Sequence, residues 1–93
     1  MLSKTPIDLE KVNKEYLDLE ILRIGMIAEL DAVNLYEQLA AYTQNTNIRK
    51  VLLDIAKEEK THIGEFQALL LKEDTEQSNE SEKGKKEVEA LTK

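Results

Sequence analysis

With 93 residues, the chain is one small domain at most, near the size at which a lone core becomes marginal. Nineteen acidic against thirteen basic residues give a formal charge of −6, which argues against a phosphate-binding surface and so against nucleic acid as a partner. The absence of cysteine removes disulfides, iron–sulfur clusters, thiol nucleophiles and thiolate zinc sites.

Residues 1–12 read as an N-terminal arm, in which Thr5 caps a short turn and Pro6 occupies its first helical position. No apolar run approaches a membrane span and Met1-Leu2-Ser3-Lys4 opens no signal-peptide core, so the reading is a cytoplasmic chain without a membrane partner. Asn13 is the expected N-cap of a first long helix, with Glu15 and Asp18 near its positive end. From there to Thr43 there is no proline and only Gly25, which predicts one helix of roughly 30 residues, about 45 Å long. Leu19, Leu22, Met26, Val33, Tyr36 and Ala40 make one apolar stripe, and Ile21, Ile24, Ile27, Leu35 and Leu39 make others. A hairpin buries one stripe per helix, so the surplus predicts further copies of the chain as partners.

The polar segment 43–47 is a turn with Asn45 as cap, and a second helix runs from Ile48 to Leu71, antiparallel to the first. The hairpin thus spans 13–72. Residues 73–93 read as a charged, solvated linker to about Lys86, then a short helix over 85–91 carrying Val88 and Leu91. The expected fold is all-α: an antiparallel two-helix hairpin plus a short C-terminal helix, completed to a four-helix bundle by dimerisation.

Two residues break the second helix's stripe. Followed through 48, 52, 55, 59, 62, 66 and 69, it places Glu59 and His62 where Leu or Ile is expected. A carboxylate in an apolar seam costs several kcal/mol unless something pairs with it. Glu-x-x-His sets both side chains on one face, roughly 5–6 Å apart at Cβ, a reach over which they can share a cation. The first helix carries Glu29 in the same kind of seam position. A dinuclear four-helix site takes one Glu from each of two helices and a Glu-x-x-His from each of the other two. One copy of this chain supplies half of that set, and two copies about a two-fold axis supply all of it. Four carboxylates and two imidazoles suit iron or manganese with open positions.

Taken singly, each residue has a plainer reading. A lone Glu on a helix is usually solvated, a lone seam His is more often a satisfied core residue, and Glu-x-x-His is common in acidic helices. The joint placement of all three is what points to metal. Asp31, two residues from Glu29, reads as surface, and Glu58 and Glu65 as solvent charges. Tyr36 reads as core with a hydroxyl in need of a partner. Gly25 and Gly64 are positions where helices can approach closely.

Ile27-Ala28-Glu29-Leu30-Asp31-Ala32-Val33-Asn34-Leu35-Tyr36-Glu37-Gln38, followed after a polar turn by Glu58-Glu59-Lys60-Thr61-His62, resembles the encapsulated ferritin-like proteins, half-ferritins housed in encapsulin shells. The resemblance covers roughly 17–73 and is nearest to the ferritin-like domain fused to the shell protein in some archaea. It implies a ferroxidase that oxidises Fe(II) with dioxygen at a di-iron centre shared by two chains, typically in a ring of five dimers inside a shell. By motif position the ligands fall on Glu29, Glu59 and His62, with Glu59 bridging, and the tyrosine beside the site falls on Tyr36. Leu35 stands where some members have tryptophan, and Ala28 and Asp31 where some have an acidic pair. Glu87–Lys93 does not resemble the shell-targeting peptide of separate cargo proteins, leaving a shell-fused chain or one working outside a shell. Two other readings stay open: a rubrerythrin-like peroxide reductase, and a non-catalytic helical interaction module.

Overall fold

The structure, a computed structural model, describes residues 7–93, and the Thr5-Pro6 turn lies outside them. The described chain is a 3-10 turn, Leu9–Lys11, and three helices: α1, Lys14–Tyr42; α2, Thr46–Glu73; and α3, Thr75–Leu91. No strand occurs among the described residues.

Asn13 stands at the start of α1 as expected, but its side chain makes no cap bond; its carbonyl accepts from Tyr16 N–H at 2.9 Å. The turn into α2 is capped as the sequence indicates, with Asn45 Oδ1 accepting from Asn47 N–H at 2.9 Å and Ile48 N–H at 3.0 Å. The opposing end of α1 is closed by a residue that sequence reasoning passed over. Arg49, from the first turn of α2, donates through Nε to the Ala40 carbonyl at 3.0 Å and through its guanidinium to the Thr43 carbonyl. One cation thereby satisfies two carbonyls at the negative end of α1 and ties the helices at their turn. Arg49→Met should cost about 1–3 kcal/mol, because it leaves part-buried acceptors unpaired. Urea unfolding at fixed protein concentration measures that loss.

Along α1 the expected stripe faces α2: Leu19, Leu22, Met26, Glu29 and Tyr36 are half-buried and Val33 and Ala40 are buried. Along α2 the inward stripe differs from the expected one. It includes Leu52, Ile55, Ala56, Glu59, Phe66 and Leu70, while Ile48 and Leu69 stay exposed. The expected stripe steps by 3.5 residues, and a straight helix turns once in 3.6, so over the roughly six turns from 48 to 69 the face drifts from position 69 to 70. Lys60 Nζ and Glu37 Oε2 pair across the helices at 3.1 Å, an exposed contact worth at most about 1 kcal/mol.

The largest departure from the expected fold is at the C-terminus. Residues 73–86 do not form a linker, because α3 begins at Thr75 and is continuous to Leu91. Asp74 alone separates it from α2. Its Oδ1 accepts from Gln77 N–H at 2.9 Å and its Oδ2 pairs with Arg23 of α1 at 3.3 Å. Gln77 also donates to Ser81 at 2.8 Å one turn on. The segment is polar, but it is rich in Glu, Lys and Gln, which are good helix formers, and it has no proline. Polarity says that it buries little, not that it lacks helix. Consistent with that, α3 has no buried residue, and Val88 and Leu91 are exposed.

The hairpin has two unlike sides. Counting about 100° per residue, Ile21, Ala28 and Leu39 of α1 share a side with Ile48, Val51, His62 and Leu69 of α2. On the other side Arg23, Ile27 and Leu30 meet Gln67 and Leu71 in a cleft where α3 begins. Ile21, Leu39, Ile48, Val51 and Leu69 on the first side are each about half exposed. The radius of gyration, 16.5 Å, exceeds the roughly 12 Å of a compact chain this long. One copy leaves much of its apolar surface uncovered.

Candidate metal centre

Midway along the hairpin, α1 presents Glu29 to α2, which presents Glu59 and His62. Antiparallel packing brings one turn of each helix to the same level, so residues thirty apart in sequence become neighbours. One donor atom from each of the three lies within 4.8 Å of the others. His62 Nδ1 stands 3.5 Å from Glu29 Oε1 and 3.4 Å from Glu59 Oε2. Both separations are long for hydrogen bonds. The other Glu29 oxygen, Oε2, is buried and has no hydrogen-bond partner among the described residues.

Such a cluster is poorly satisfied by the protomer itself. Two carboxylates are withdrawn to 20% and 19% side-chain exposure with no lysine or arginine ion-paired to them among the described residues; the nearby Lys60 is turned to Glu37. A buried, unpaired carboxylate oxygen costs on the order of 1–3 kcal/mol or more. A cation removes that cost, since donors 3.4–3.5 Å apart are spaced as two ligands of one ion with bonds of about 2.1 Å. Oxygen and imidazole donors without sulfur suit iron or manganese. The residues therefore fit a bound divalent metal. His62 differs from the carboxylates in being 45% exposed, and it opens onto the apolar side of the hairpin.

The remaining sequence candidates are not in the cluster. Tyr36 is half-buried one heptad beyond Glu29, about 10 Å along the helix axis. Asp31 is partly buried and takes part in an interaction of its own. Glu58 and Glu65 are exposed, as read. Gly25 does sit at a close approach, whereas a Cβ at Gly64 would meet nothing within 4 Å.

Long antiparallel helices that aim two glutamates and a histidine into their seam are characteristic of ferritin-like proteins. The comparisons agree. The family model of rubrerythrin matches residues 20–93, and the chain belongs to that ferritin-like family. It is 56% identical over 95 aligned residues to a ferritin-like–encapsulin shell fusion protein of Pyrococcus furiosus; the match takes in 99% of this chain but 27% of that protein. The crystal structure of an encapsulated ferritin domain from Pyrococcus furiosus superposes with a TM-score of 0.84 at 52% identity, covering 99% of this chain and 96% of that one. No described helix is long and apolar enough to cross a membrane.

Proposed function

We propose that the chain is a ferroxidase whose centre forms between two copies, each bringing Glu29, Glu59 and His62. The observation that carries this reading is the unfinished cluster: two nearly buried carboxylates, one with an orphaned oxygen, and a histidine exposed on the side where Ile21, Leu39, Ile48, Val51 and Leu69 are also bare. Association through that side covers the apolar residues and sets a second His62 and second carboxylates against the first, making a four-helix bundle. Glu29 and Glu59 of each copy would neutralise and hold Fe(II) as substrate, Glu59 being the ligand that the family resemblance assigns to both ions, and the two imidazoles would complete the set. Two bound Fe(II) ions give one electron each to dioxygen, which takes up two protons and leaves as hydrogen peroxide. Tyr36, half-buried about 10 Å along α1 from Glu29, is the tyrosine that the family resemblance sets beside the site. The Fe(III) product is stored in an encapsulin shell, as the relatedness to a shell fusion protein and an encapsulated ferritin domain supports.

Metal content measured together with solution mass tests the reading: two iron ions per pair of chains are expected, with no iron retained by monomer. A metal-free dimer would instead make the chain an interaction module. The rubrerythrin family match favours a second reading, reduction of hydrogen peroxide, with the same Fe(II) supplying the electrons. Relative rates with dioxygen and with peroxide decide between the two oxidants.

A further inference from the structure

Gly25 lies one helical turn before Glu29 on α1, and Phe66 one turn after His62 on α2. In the antiparallel hairpin these two turns coincide, and the half-buried Phe66 ring lies directly against the bare backbone of α1. A Cβ placed on Gly25 would stand 3.0 Å from Phe66 Cε1 and Cζ and 3.2 Å from Cδ1. That is too close by a few tenths of an ångström, so either the ring turns or the helices part. Beyond Glu29 and Glu59, away from Phe66, Val33 and Ala56 are buried on the facing helices. The cluster is therefore held between small, closely packed residues on one side and a ring-on-glycine contact on the other.

We infer that Gly25 and Phe66 are a positioning pair, which sets the helix separation at which Glu29 meets Glu59 and His62 and so tunes their affinity for a divalent metal. The inference rests on the metal-centre reading. Ligand positions tolerate errors of about 0.2 Å, the same order as the displacement that a single methyl group at residue 25 would force. Gly25→Ala at the same time favours helix through backbone entropy. Stability and metal affinity should therefore move separately, which a purely structural role would not produce.

Co(II), whose visible absorption reports ligand geometry, is the probe, titrated into the 93-residue chain alongside urea unfolding. Gly25→Ala is expected to bind Co(II) about tenfold more weakly with a changed spectrum, the size of effect seen when support around metal ligands is removed, while unfolding at least as late as the parent. Phe66→Leu alone, which keeps the glycine, is expected to weaken binding as well. The double variant should recover part of what Gly25→Ala lost, because a smaller side chain accepts the new methyl. Parental affinity and spectrum in both single variants, or strictly additive losses in the double, overturns the positioning role. Failure of the parent chain to bind Co(II) would instead overturn the metal centre itself.

Discussion

Glu59→Ala should bring iron-dependent oxygen consumption down by at least about a hundredfold, to near the rate of Fe(II) in buffer. The estimate is a lower bound. Losing a group that merely supports a metal ligand already costs 10–100-fold, and in the proposed two-fold site one substitution removes two ligands. His62→Ala should act in the same direction, since it removes both imidazoles. The helices should survive either change. Glu59 is 19% exposed and has no lysine or arginine partner among the described residues, only His62 at 3.4 Å, so its removal relieves unfavourable burial more than it breaks a supporting contact. Oxygen uptake and far-ultraviolet circular dichroism on the same samples check both halves. Oxidation at the parental rate in a folded Glu59→Ala protein would refute the assignment.

Val51→Glu is expected to abolish activity with every ligand still in place. Val51 is 60% exposed in the protomer, beside Ile48 and on the same side as His62. On a helix surface that faces solvent, the substitution costs little in the monomer. In a two-fold dimer formed through this side each new carboxylate sits in an apolar interface, and an unpaired buried charge costs several kcal/mol. Dissociation constants move tenfold for each 1.4 kcal/mol, so a dimer at micromolar protein should become largely monomer. Light scattering should show the fall in mass, and iron oxidation should fall with it and recover in part at high protein concentration. Full activity in a demonstrated monomer would mean that one chain suffices.

Both expectations follow from features of unequal visibility in the sequence. The long helices, their antiparallel turn and the Asn45 cap follow from periodicity and local hydrogen bonding, which depend on residues within a few positions of one another. So does the oddity of Glu29, Glu59 and His62, because a charged residue stands out wherever Leu is the norm. Residues 73–86 read as linker because a polar composition predicts poor burial, but burial and helicity are different properties: Asp74 caps α3, whose side chains need no core. The drift of the α2 face from Leu69 to Leu70 lay within the ambiguity between 3.5 and 3.6 residues per turn.

What the linear chain by itself determined is therefore the set of helices, the surplus of apolar stripes and the identity of the three polar intruders. Only the tertiary structure decided that these three meet within 4.8 Å, that one Glu29 oxygen is left buried and unpaired, and that Arg49 and the Gly25–Phe66 contact lock the hairpin around them. The physical reason is range. Helix formation and patterning are settled by neighbours three or four residues away, whereas the spacing between α1 and α2, and hence the distance between carboxylates thirty residues apart, is settled by side-chain packing across the seam.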